Sequence, residues 1–150
     1  MEPLTDPAAE VLALVETMYA GYLGRDTSAI DALLSPELTM FDSSEDALVH
    51  GMDELQALRA RRGGADGADP VPEADRITET ALVVESMEAR PVGGTIVATW
   101  WLRVDAADAS GRPVSPERSR NTAVLTRDAD GALRIAHIHE DVRQPLGGAQ

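Results

Sequence analysis

Two histidines two residues apart, His137 and His139, stand in a segment that reads Leu133, Ile135, His137, His139 and Asp141 down one face of a strand. Residues at i and i+2 of a strand point the same way. The spacing therefore predicts that both imidazoles look into whatever the sheet encloses. An imidazole there can line a partly polar floor, bond a ligand or stabilise charge in a reaction, or, with Asp141, contribute to a facial metal set. Asp42 is a second candidate. A carboxylate in an apolar enclosure has its pKa raised by desolvation and can take a proton from a carbon next to a carbonyl. The bland account is that it caps the turn at Ser43-Ser44. Arg120 can bridge to Asp42 across a pocket mouth, where it would keep the carboxylate ionised and a poor base, or pair with Glu117 on the surface. Trp100 and Trp101 are consecutive, so one faces inward and the other outward, which alternation alone leaves open. We place Trp100 with the pocket, together with Tyr19 and Asn121, and regard the outward tryptophan as an interface anchor.

These residues need elements to hold them. Asp6-Pro7 supplies an N-cap followed by proline at the first helical position, and Val11, Leu14, Val15, Met18 and Tyr22 recur at helical spacing up to Gly24. Asp26, Thr27 and Ser28 can cap a short second helix carrying Ile30, Leu33 and Leu34. Leu38 to Phe41 alternates and predicts a short edge strand. Met52, Leu55 and Leu58 mark a third helix with Asp53 and Glu54 in its first turn and Arg59, Arg61 and Arg62 in its last. Residues 63–75 hold mostly Gly, Ala, Asp and Pro and predict a flexible loop. Four β segments follow, at 77–90, 95–105, 114–126 and 133–142, separated by turn signals. Helices first and a strand meander afterwards argue for an α+β class, with N-terminal helices packed on a curved antiparallel sheet in a single domain spanning 1–150. Only two Trp, two Tyr and one Phe are available to fill the space between, which favours a pocket.

Composition narrows the chemistry. The chain has 150 residues and a formal net charge of -13, which repels phosphate backbones and anionic lipid, so neither nucleic acid nor membrane is an expected partner. All 13 basic residues are Arg, so no lysine Schiff base can form, and the absence of Cys removes disulfides, thiol nucleophiles and thiolate metal sites. The acidic start lacks an apolar segment, and a cytoplasmic protein without cofactor or metal is the simplest expectation.

Ser35-Pro36-Glu37-Leu38-Thr39-Met40-Phe41-Asp42, then Val49-His50-Gly51-Met52-Asp53, and finally Ala136-His137-Ile138-His139 resemble the association (hub) domain of calcium/calmodulin-dependent protein kinase II. Arg120-Asn121-Thr122-Ala123-Val124 is similar to a strand of standalone SnoaL-like proteins, and both groups lie in the nuclear transport factor 2-like superfamily. The resemblance implies a cone-shaped α+β barrel that forms homodimers or larger rings through the outer face of its sheet. The hub's pocket arginines match Leu102, Ala123 and Glu140 here, and its pocket histidine and tryptophan match Leu55 and about Gly63, so a hub-type carboxylate ligand is not implied. Against the ketosteroid isomerases of the same superfamily, Asp42 matches the general base. The oxyanion tyrosine matches Met18, with Tyr19 beside it facing elsewhere, so donors would have to come from His137, His139 or Arg120. Two functions follow: binding a small apolar organic molecule with isomerisation, cyclisation or dehydration of a carbonyl compound, or a non-catalytic oligomerisation module.

Overall fold

The computed structural model describes residues 6–63 and 73–147. Most of the loop expected at 63–75 lies outside the described residues; Gly63 ends a helix and Glu73–Asp75 form a short 3-10 turn. Helix α1 (Pro7–Leu23) starts where the sequence predicts, with the Asp6 carboxylate accepting the Ala8 N–H at 3.1 Å and Pro7 in the first turn, where its missing N–H is no loss. The Gly24 N–H donates to the Ala20 carbonyl, Arg25 turns the chain at φ 56, and the Asp26 carboxylate caps α2 (Thr27–Asp31) through the Ala29 N–H at 3.1 Å. Buried Gly21 lets α2 come close: a Cβ there would stand 3.0 Å from the Ile30 side chain.

The remaining elements are β1 (Leu34–Phe41), β2 (Val49–His50), α3 (Gly51–Gly63), β3 (Thr78–Val92), β4 (Thr95–Ala107), β5 (Glu117–Arg127) and β6 (Leu133–Gln144). They form one six-stranded sheet in the order β2-β1-β6-β5-β4-β3. All neighbours are antiparallel except β1 and β6, which run parallel. Two details differ from the sequence reading. β1 is twice the predicted length and is not an edge, because the two-residue β2 covers it. The sheet also stays open, with β2 and β3 as its edges; helices, not strand pairing, close the cone. α1 lies against β3 and β4 and α3 against β1. Val11 and Val15 of α1, Leu55 and Leu58 of α3, and Leu38, Trp100, Leu125 and Ile135 of the sheet form the core between them.

One irregularity decides which side chains face this core. Leu125 of β5 pairs with Ile135 of β6, but the next residue back, Val124, pairs with His137, so Ala136 has no partner on β5. An unpaired residue reverses the alternation beyond it. Ile135 is fully buried; past the bulge, Ile138 and Glu140 point inward while His137, His139 and Asp141 turn to the outer face. The shared inward face expected of Ile135, His137, His139 and Asp141 is thereby overturned. A similar slip between Glu85 and Glu88 of β3, with Ser86 at φ 55, switches inward positions from Leu82 and Val84 to Met87 and Ala89. Ile135→Ala should therefore destabilise the fold by about 2–5 kcal/mol in urea denaturation, the usual cost of a cavity at a fully packed site; a loss under about 1 kcal/mol would contradict the inward placement.

Candidate functional site

The helices and the inner face of the sheet enclose a cavity of about 500 Å³. Its walls are mainly apolar, with Met18, Ile30, Leu38, Met40, Leu55 and Leu58 among them, and the helix side chains Tyr22, Arg59 and Arg62 and the turn residue Arg25 reach it as well. The polar groups on the sheet side fall in one row. Trp100 of β4 pairs across the sheet with Asn121 of β5, and Asn121 pairs with Glu140 of β6. Directly paired residues have their Cβ atoms about 4.5–5.5 Å apart on one face. Phe41 of β1 pairs with His139, so Asp42, the next residue, falls beside Glu140. From α1, Tyr19 joins the row: the Trp100 indole N–H donates to its hydroxyl at 3.0 Å, both side chains being buried. Tyr19 was expected to face away from the oxyanion position at Met18; both residues line the cavity.

The structure brings only some of the sequence candidates together. Tyr19, Asn121 and Asp42 line the cavity, and Trp100 is the inward tryptophan, 2% exposed against 38% for Trp101. His137, His139 and Arg120 do not share the site. Thr39 Oγ1 and His137 Nδ1 lie 2.8 Å apart on the outer face, and the Phe41 ring stands edge-on to His137 and 5.3 Å from His139. Arg120 pairs with Asp141, not with Asp42 or Glu117. Asp42 instead takes its arginine from the last turn of α3: Arg62 Nη2 donates to Oδ1 at 3.0 Å and Nη1 to Oδ2 at 3.3 Å. The turn role expected as the bland account is also present, since the Ser44 N–H and hydroxyl both donate to Asp42 Oδ1, at 2.9 and 2.6 Å. Among the described residues no three His, Asp or Glu side chains are placed to hold a metal ion. Glu140 and Arg62 were not among the sequence candidates. The odd, three-residue step from Ile135 to Ile138 was the available signal: both can be inward only if one residue between them is unpaired, which carries Glu140 inward as well.

Comparison with known proteins gives the fold a name. No family model matches the chain, and no curated protein matches its sequence. Solved structures do match. ActVI-ORFA from Streptomyces coelicolor superposes with a TM-score of 0.71 at 21% identity, covering 90% of this chain and 96% of that one. The S. rosetta CaMKII hub gives 0.68 at 19% identity, with 93% and 99% covered. An NTF2-like protein from Cytophaga hutchinsonii gives 0.63 at 14% identity, with 91% and 98% covered. The chain has the nuclear transport factor 2-like fold.

Within this nuclear transport factor 2-like cone the acids of the row differ in proton affinity. Burial raises the Glu140 carboxyl; the Ser43 hydroxyl, which donates to Oε1 at 2.8 Å, offsets this in part, and the charges of Asp42 and Glu79 add to it. Burial would also raise Asp42, but the hydrogen bonds from Arg62 and Ser44 outweigh it and hold that carboxyl below the usual carboxylate range. Burial pushes the Tyr19 phenol far above its ordinary value, so its hydroxyl stays neutral and can donate. Because the indole N–H can only donate, the Tyr19 oxygen accepts it and keeps its own hydrogen for another partner.

Two outcomes follow. Tyr19→Phe leaves the buried Trp100 N–H unpaired and should cost about 1–3 kcal/mol in denaturant unfolding. A raised carboxyl binds more protons in the folded than in the unfolded state, so stability falls as pH rises from the unfolded glutamate value through the folded one. Glu140→Gln removes that penalty: its denaturation midpoint should exceed wild type at pH 7, and the gain should shrink towards about pH 4. An equal or lower midpoint at pH 7 would contradict the raised carboxyl.

Proposed function

We propose that this chain is a small-molecule-binding protein of the SnoaL-like kind that carries out cofactor-free proton transfer on an apolar carbonyl compound: an isomerisation, cyclisation or dehydration. The observation that supports it is the polar row under an apolar cavity, a buried phenol donor and a raised carboxyl facing the same enclosed space. In this reading ionised Glu140 takes a proton from the carbon next to the carbonyl, and the Tyr19 O–H donates to the oxygen as negative charge develops there. The Trp100 N–H bonded to the Tyr19 oxygen orients that hydroxyl and strengthens it as a donor. Glu140 then returns the proton to a different carbon, or to a departing hydroxyl in a dehydration. Asp42, matched by resemblance to a general base, is bound by Arg62 and Ser44 and fits holding Arg62 beside the cavity better than abstracting a proton. His137, His139 and Arg120 lie on the other face of the sheet and have no part in this chemistry.

The test uses 1-tetralone as a probe carbonyl, following exchange of its α-protons for deuterium by proton NMR. Wild type should accelerate exchange, Glu140→Gln should lose about 10²–10⁴-fold of that acceleration, and Asp42→Asn should stay within about tenfold of wild type. Full acceleration in Glu140→Gln removes Glu140 as the base, and loss confined to Asp42→Asn restores Asp42.

A second reading, homo-oligomerisation through the outer sheet face, is favoured by Trp101 and Phe41, each 38% exposed there beside His139 and the Arg120–Asp141 pair. Exposed aromatics spread among polar groups on one sheet face suit an interface. Trp101→Asp should reduce the particle mass to that of one chain by light scattering; an unchanged mass counts against this face.

A further inference from the structure

The inner face carries more negative charge than proton transfer requires. Beside the main cavity lies a second lobe of about 310 Å³, which shares Tyr19, Tyr22, Asp42, Arg62 and Glu140 with it and adds Glu79 from β3 and Glu117 from β5. Asp42 is neutralised by Arg62, and Arg59 is held by Asp31 at 2.8 Å. Glu79, Glu117 and Glu140, in contrast, take part in none of the ion pairs among the described residues. A second group independently asks for a donor. Asn121 is 3% exposed, and its Nδ2 donates to the Ser119 hydroxyl at 3.1 Å and the Ser119 carbonyl at 3.4 Å. A carbonyl only accepts, which fixes the amide with nitrogen towards Ser119. The Asn121 Oδ1 thus remains without a hydrogen-bond donor among the described residues, in a side chain that lines the cavity.

We infer that the cavity's ligand carries a protonated amine, whose N–H groups bond Asn121 Oδ1 and Glu140 at the junction of the two lobes while its charge is met by Glu117 and Glu79. Its apolar body fills the main cavity against Leu38, Leu55 and Leu58. An ammonium has three donors and no acceptor, which suits a site with several free acceptors. The rings of Tyr19 and Tyr22 add faces that attract a cation. Burial pushes all three glutamates up, and the charges of neighbouring acids add to it at Glu117 and Glu140; a bound cation opposes both effects, which would leave Glu140 ionised as a base requires. The chain's net charge of -13 draws cations and repels anions. Arg25, exposed and lining the cavity, is the feature a carboxylate ligand would use instead.

The inference rests on the cavity being the ligand site proposed above, and three probes of one shape separate the two. Calorimetric titration at pH 7 with 2-phenylethylamine, 2-phenylethanol and phenylacetate should find the amine binding about ten- to hundredfold tighter than the alcohol, the range charge-assisted hydrogen bonds give, and phenylacetate weakest. Glu117→Gln should lower amine affinity several-fold and leave alcohol affinity unchanged. Equal affinity for amine and alcohol overturns the inference while the ligand site stands. Tightest binding of phenylacetate overturns it in favour of Arg25 as the anchor. Failure of all three probes to bind overturns both the inference and the site.

Discussion

The unpaired Ala136 in β6 is the constraint on which the rest of the site depends. Without it the strand would keep its phase from Ile135 onward and would present His137, His139 and Asp141 to the cavity. With it, Ile138 extends the apolar wall and Glu140 enters a row with Asn121 and Trp100. The parallel neighbour β1 is irregular at the same level, with a step of five from Leu34 to Thr39 facing a step of two on β6. A bulge of this kind re-aims side chains at a small cost in ladder bonds. Here it exchanges an imidazole floor for a carboxylic one.

That exchange changes the chemistry available. Two imidazoles inside would have offered donors at neutral pH. The row as formed offers one phenol donor, one amide acceptor and one carboxyl with raised proton affinity, set in mainly apolar walls. The arrangement is held from both ends. Trp100 fixes the Tyr19 hydroxyl on one side, and Arg62, reaching over from α3, fixes Asp42 on the other. The same Arg62 helps hold the Asp42 carboxyl below its ordinary range, because a carboxylate with two arginine N–H groups and two serine donors gains little from protonation.

Much of the fold was legible from local patterns. The caps at Asp6 and Asp26, the glycine stop at Gly24, and the apolar spacing of Val11, Val15 and Met18 place α1 and α2, and turn residues separate the later strands. The α+β class follows from that order. The site was less legible because strand alternation is a local rule that one unpaired residue breaks. His137 and His139 satisfied the period-two pattern when read forward from Ile135; only the conflict between Ile135 and Ile138 revealed the slip. Arg62 was visible as a helix-terminal cation, but nothing in its neighbourhood in sequence connects it to Asp42, twenty residues earlier. Trp100 and Trp101 could not be told apart by pattern, since both neighbours of each are apolar or small enough for either face. Tyr19 was legible as a pocket residue, but its hydrogen bond from Trp100, 81 residues later, was not.

In the proposed reaction Glu140, rather than Asp42 or the histidine pair, is the proton-transfer group of the cavity. Carboxyl carbon NMR of protein labelled at its Asp and Glu side chains, followed through a pH titration, tests it most directly. Glu140 should titrate above the ordinary glutamate range and Asp42 below the ordinary aspartate range. Asp42 titrating at a higher pH than Glu140 would contradict it.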